Sequence, residues 1–200
     1  MEDKDKIKYI FDIEADNLLD DVTKIHCLSY CNTKTGLICS TSHQDQIRDF
    51  FLQKDIILIG HNIVGYDICV IEKIFNIKIE LPQWDTLALS WLLNSDRTSH
   101  SLESWGETLG IKKIAVDDWE NLDIKSYILR CETDVKINYE LWKKQASYLN
   151  NLYEGNHEQI FKYLSYIHFK LDTVKEHQKL GVNFNEELCK KSLNELEKLK

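Results

Sequence analysis

One apolar strand that carries two carboxylates on the same face constrains this chain more than any other stretch of it. The stretch is KYIFDIEADNLLDDVTKIHCLSY, residues 8–30. Ile10, Phe11 and Ile13 make residues 7–13 a core strand, yet Asp12 and Glu14 stand two positions apart in it. Successive side chains alternate faces along a strand, so both carboxylates point the same way. Their charges repel, and burying them is costly unless something positive lies between them. A divalent cation is the commonest answer. Alone, a D-x-E pair is more often a solvated strand face, and the apolar neighbours argue against that here.

The remainder of the chain has to be a fold that can hold such a strand inside. Two hundred residues, 43% apolar and 29% charged, suit one domain of ordinary size plus an appendage. One proline and seven glycines exclude a collagenous or mucin-like chain. The longest apolar run, DIILIGHNIVGYDICVI, is broken by polar residues before the roughly 18 that a membrane span needs. The charged start MEDKDKIKYIFDIE has no signal-peptide pattern, so no membrane association and a cytoplasmic location are expected, the host cytoplasm if the source is viral. The net charge of −8 argues against a broadly basic nucleic-acid surface, but not against an acidic site that meets phosphate through metal ions. Cys27, Cys31, Cys39, Cys69, Cys131 and Cys189 contain no CxxC pair and read as reduced core thiols. A zinc site from His26, Cys27 and Cys31 has the wrong spacing for a finger.

The pattern predicts strands at 7–13, 24–31 and 36–41, a helix over 44–53, a strand at 55–60 and a helix beginning near Gly65. Residues 81–95 contain a helix that Asp85 or Thr86 caps, and 99–111 another that stops near Gly110. A long amphipathic helix follows over 124–150, then helices over 156–179 and 185–200 joined by the tight connection GVNF. Strands first and helices after them predict an α/β sheet with helices on both faces. The division is a domain over 1–150 and a helical extension over 151–200, packed on the domain because no flexible linker separates them, except that its final helix looks unfinished and leaves Leu188, Leu193, Leu196 and Leu199 as an apolar face in need of a partner.

Two further carboxylates lie where such a sheet builds sites. In GHNIVGYDICVI a strand ends at Gly60 and Asp67 falls in the first helical turn. Asp67 reads either as a charge favoured by a helix N-terminus or as a site residue at a strand end. His61 and Asn62 at the same edge read as loop residues or as substrate contacts. Asp134, in YILRCETDVKIN, borders an apolar stripe, and helical spacing makes Arg130 its i−4 salt-bridge partner.

The ordered set Asp12-x-Glu14, Asn62-x-x-x-Tyr66-Asp67 and Asp134 on a late helix resembles the three motifs of the DEDD exonucleases, the DnaQ-like branch of the ribonuclease-H-like superfamily. DIEADNLLDDVTKIHC, DTLALSWLL, SHSLESWGETLG and ETDVKI resemble, more narrowly, the proofreading domain of family A DNA polymerases of T7-like podoviruses. The likeness covers residues 7–148. It continues in HQKLGVNFNEELCKKSLNELEKL, which is similar to the opening of a family A polymerase domain and also reads as a plain helical hairpin.

The resemblance implies a ribonuclease-H-like mixed sheet flanked by helices. It also implies two Mg²⁺ or Mn²⁺ ions held by Asp12, Glu14, Asp67 and Asp134, and hydrolysis of the 3′-terminal phosphodiester of DNA in viral replication. Asn62, His61, Leu18 and Leu19 would grip single-stranded or frayed 3′ ends, though both leucines read equally as core. A family A polymerase domain or subunit is the expected partner. The chain departs from the family at one point: four positions before Asp134, where a tyrosine orients the attacking water, stands Arg130, and five before stands Leu129. Tyr127 is seven residues away, about 10 Å along a helix. Arg130 at the phosphate, or a catalytically weakened scaffold, are the alternatives this leaves, with an RNA-directed hydrolase of the same fold as the third.

Overall fold

Runs of β-branched and aromatic residues supply the sheet, because such side chains fit a pleated, half-buried surface. The computed structural model describes residues 6–116, 122–181 and 183–198. Its strands are β1 (Ile7–Ala15), β2 (Ile25–Asn32), β3 (Ile38–Thr41), β4 (Ile56–Gly60) and β5 (Gln83–Asp85). Their order is β3-β2-β1-β4-β5. β1 pairs antiparallel with β2, and β2 with β3, whereas β4 is parallel to both β1 and β5. β1 is therefore the central strand, between β2 and β4, and β4 is buried along its whole length.

Seven helices are described: α1 (Gln44–Phe51), α2 (Asp67–Phe75), α3 (Thr86–Leu93), α4 (Leu102–Leu109), α5 (Ile124–Leu152), α6 (His157–Leu180) and α7 (Glu186–Glu197). Alternation along β1 separates two cores. Phe11 and Ile13 join Ile47, Phe50, Phe51, Ile68 and Ile71 under α1 and α2. Ile10 joins Trp84, Leu89, Val135, Trp142 and Leu164 on the opposite face, under α3, α5 and α6. Asp12 and Glu14 share the parity of Ile10, so they face α5. Helices thus cover both faces of a mixed sheet, as the strand and helix order predicts.

Three expectations are corrected. The strand expected over 36–41 starts at Ile38, and β5 was not expected at all, since three residues make too short a run to carry a period. The extension is not packed throughout. Leu164 and Ile167 bury the first half of α6 against the sheet, but α7 has no buried residue, and Leu188, Leu193 and Leu196 are all more than half exposed. The connection GVNF includes Val182, outside the described residues, as does Leu199. All six cysteines are free thiols, three of them buried. No described helix is long and apolar enough to cross a membrane.

Candidate active site

Asp12, Glu14 and Asp134 converge. One carboxylate oxygen from each lies within 4.8 Å of the others, the only such acidic, histidine or cysteine group among the described residues. The zinc set His26, Cys27 and Cys31 does not form: Cys27 and Cys31 are buried in the core, and the His26 ring lies against Tyr127. β1 delivers Asp12 and Glu14, and α5 crosses the sheet so that Asp134 meets them. The crossing is pinned by Cys131, one turn before Asp134, whose buried thiol donates to the Asp12 carbonyl at 3.1 Å.

Asp67 arrives from β4 through a tight loop. A side chain at Gly60 would overlap Ile63 and crowd the Phe11 carbonyl, so the strand can end there only with glycine. Asn62 then takes a left-handed φ of 65° and its carbonyl accepts from Gly65 and Tyr66. The loop is organised by Asp85, a buried carboxylate that accepts from the N–H groups of Asn62 and Val64 as well as Leu87 and Ala88 of α3. Sequence spacing shows Asp85 only as a helix cap. Asp67 itself is buried at the start of α2 and held by the N–H of Ile13. It stands outside the three-oxygen group but close enough for its charge to act on Asp12.

The electrostatics follow from this crowding. Burial first, then the charges of Asp134, Asp67 and Glu14, hold the Asp12 carboxyl well above its usual range. Burial pushes Glu14 up to about 7 against the pull of Arg130. It pushes Asp67 to about 8, and raises Asp134 against the pull of Lys113.

Two cations enter the site. Arg130 does not bridge to Asp134, its i−4 neighbour. Its Nε lies 2.9 Å from Glu14 Oε1, and Nη1 donates to the Ile114 carbonyl at 2.6 Å. Asp134 pairs instead with Lys113, 2.6 Å away on the loop before α5. The reason is burial: Asp134 sits on the sheet-facing side of α5, and Arg130 reaches across to β1 rather than along the helix. Lys113 is the site residue that sequence reasoning missed, since a lysine in a polar loop carries no periodic signal.

The other candidates separate. His61 spends both ring nitrogens inside the fold, on Thr86 Oγ1 and the His100 carbonyl, each at 3.0 Å. Burial holds it at about 4, so the ring is neutral. Asn62 is exposed. Leu18 is 78% exposed, whereas Leu19 packs on the core under α1 and α2. Leu18 lines a groove of about 620 Å³ together with Glu14, His26, Tyr66 and Tyr127, next to the carboxylates. Tyr66 is fixed there by its hydroxyl, which donates to the Asn17 carbonyl at 2.7 Å.

The donor set suits a hard divalent cation. All three convergent groups offer oxygen, and Asp134 Oδ1 is buried without a hydrogen-bond partner among the described residues. Buried polar atoms are nearly always satisfied, so this one points to a ligand in the pocket.

No family model and no curated protein sequence matches the chain. Solved structures do. The chain is similar to Brucella melitensis NrnC with bound Mg²⁺ at 15% identity and a TM-score of 0.65, covering 90% of each chain. NrnC has also been solved bound to pGG. The chain is also similar to E. coli Exonuclease I in complex with a dT13 oligonucleotide at 13% identity and a TM-score of 0.52, over 79% of this chain and 43% of that one. The match to Phi29 DNA polymerase, complexed with primer-template DNA and incoming nucleotides, has 12% identity and a TM-score of 0.53, over 71% of this chain and 31% of the polymerase. What these likenesses have in common is the architecture, and this chain has it: a ribonuclease-H-like fold, a mixed five-stranded sheet between helices.

Proposed function

We propose that this chain is a divalent-metal-dependent 3′–5′ exodeoxyribonuclease, hydrolysing the terminal phosphodiester of a DNA strand and releasing nucleoside 5′-monophosphates. The observation that carries the reading is the convergence of one carboxylate oxygen each from Asp12, Glu14 and Asp134 to within 4.8 Å, with Asp134 Oδ1 buried and without a hydrogen-bond partner among the described residues. Two Mg²⁺ or Mn²⁺ ions would be held by these three carboxylates and Asp67. When bound, such ions lower the pKa of an attacking water, stabilise the leaving oxygen and offset phosphate charge. The remaining work falls to the chain. Lys113 and Arg130 add positive charge where a phosphate would approach. Arg130 cannot act as a base, because a guanidinium stays protonated, so its part is electrostatic. Leu18, exposed in the groove that Glu14 also lines, and the exposed Asn62 would contact the frayed terminal nucleotides.

A proofreading role beside a family A polymerase in viral replication is the finer form of this reading. It is supported by the sequence likeness of residues 7–148 and of the tail, and by the uncovered leucines of α7, which suit a partner surface. Hydrogen exchange over 186–197 tests the partner: a polymerase domain that docks there slows exchange in α7, and one that leaves it unaltered does not dock.

A second reading, a weakened exonuclease-like scaffold of a polymerase, is favoured by one contact, the Arg130–Glu14 pair in place of a water-orienting tyrosine. One assay separates the readings. Single-stranded DNA, mispaired DNA, fully paired DNA and RNA, all 3′-labelled, are incubated with Mg²⁺, Mn²⁺ or EDTA. Metal-dependent release of mononucleotides, faster from single-stranded and mispaired ends because a paired end must first fray, is the expected result. Binding without release supports the scaffold, and preferential cleavage of RNA reassigns the substrate.

A further inference from the structure

The ladder between β1 and β2 slips beside the site. Glu14 pairs with Cys27 and Ala15 with Ile25, so His26 is the extra residue of a bulge. Bulges re-aim a side chain, and here the His26 ring comes to lie flat on Tyr127 of α5. The ring centroids are 4.1 Å apart and the planes 11° from parallel. Tyr127 is buried and the imidazole only partly so, which makes the histidine the accessible layer of a two-ring stack.

The same groove is lined by Leu18, Tyr66 and Glu14, one of the three convergent carboxylates. Leu18 is presented by a stiffened loop, since Asp16 accepts from the N–H groups of Thr23 and Lys24 and from the Thr23 hydroxyl. A flat aromatic surface and an exposed leucine in one groove beside an acidic cluster fit a planar, uncharged group attached to a phosphate. Nucleobases are such groups, and each has a face that stacks.

We propose that His26, backed by Tyr127, is the stacking floor for a nucleobase at the 3′ end of the bound strand, with Leu18 as another wall of the slot. The inference rests on the nuclease reading for the identity of the strand. Burial, then the nearby Lys24, holds the imidazole below its ordinary range, which suits a ring that receives a base rather than a phosphate. The slot reads the presence of a base and not its sequence, because stacking is tolerant of base identity.

The test uses the full chain and two single-stranded oligonucleotides, one with a normal 3′-terminal base and one with an abasic 3′ residue. His26→Ala is expected to raise KM for the base-bearing end roughly tenfold or more with kcat little changed, as stacking losses elsewhere imply. His26→Phe restores it. The abasic end gains nothing from the histidine, so the preference for a base-bearing end collapses in His26→Ala. An equal penalty on both ends, or failure of the phenylalanine to rescue, would overturn the slot. Quenching of a 3′-terminal 2-aminopurine in EDTA supplies a readout apart from cleavage. If the wild-type chain cuts neither end, the nuclease reading fails; quenching that His26→Ala abolishes would still uphold the slot, and no quenching would end it.

Discussion

Lys113 Nζ lies 2.6 Å from Asp134 Oδ2, so a loop lysine neutralises the carboxylate that α5 brings to the cluster. The ammonium holds a carboxylate that the proposed metal ions would also need, and it acts on Asp12 and Glu14 too. Lys113 and a divalent ion bound there would therefore compete for the same negative charge.

Lys113→Met, which keeps the apolar stem, is expected to bind Mn²⁺ several-fold more tightly by calorimetry. Without metal the same variant leaves Asp134 buried and unpaired. Losing a charge-assisted contact of this kind costs roughly 1–3 kcal/mol, which a melting curve in EDTA would detect as a lower Tm. Unchanged Mn²⁺ affinity would mean that the lysine sits beside the ion's position and does not compete with it.

Arg130 ties three pieces together: α5, Glu14 of β1 and the Ile114 carbonyl of the loop that carries Lys113. Replacing it by the tyrosine of related motifs removes all of these contacts at once. Arg130→Tyr is therefore expected to lower Tm in EDTA and not to raise kcat, and Arg130→Lys to recover the charge but not both contacts, since lysine lacks the planar fork. A clear gain in kcat for Arg130→Tyr would show that the arginine occupies the place of a water-positioning group and does nothing better there.

How much of this was legible beforehand depended on whether the signal was periodic. Asp12 and Glu14 stand out because the strand period is two, and the apolar faces of α2 and α5 because the helical period is 3.6. Asp134 was visible as a candidate, but its partner was not. Spacing along a helix assigns Arg130 to it, and only the packing of α5 across the sheet reveals that one residue is buried and the other reaches β1. Lys113 and the second role of Asp85 depend on loops meeting in space, which no period encodes. His26 was hidden for a related reason. Counting alternation assumes an unbroken register, and the bulge between Glu14 and Ala15 breaks it.

Asp12 is the most crowded of the acids, raised by burial and by the charges of Asp134, Asp67 and Glu14. Asp12→Asn removes one of these repelling charges while keeping the shape. Metal-free protein carrying it is expected to melt a few degrees higher than wild type at pH 8, about 2–4 °C for each kcal/mol relieved in a chain of this size. The same change should weaken Mn²⁺ binding at least tenfold by calorimetry. Binding of Mn²⁺ at wild-type affinity would remove Asp12 from the metal set.

The last expectation concerns pH. Glu14 titrates at about 7 in the folded chain against an ordinary 4.5, and Asp67 at about 8 against 3.8. Both folded values are raised, so the folded state binds more protons than the unfolded one across that window, and stability falls as pH rises. The contribution is fully present below the unfolded values near 4 and is lost as pH passes through 7 and then 8. In EDTA, Tm should therefore decline from pH 5 to pH 8.5. Saturating Mg²⁺ favours the ionised carboxylates instead, so the decline should flatten or reverse when metal is present. Parallel curves with and without Mg²⁺ would mean that the ion does not touch these acids, and the buried cluster would then be structural.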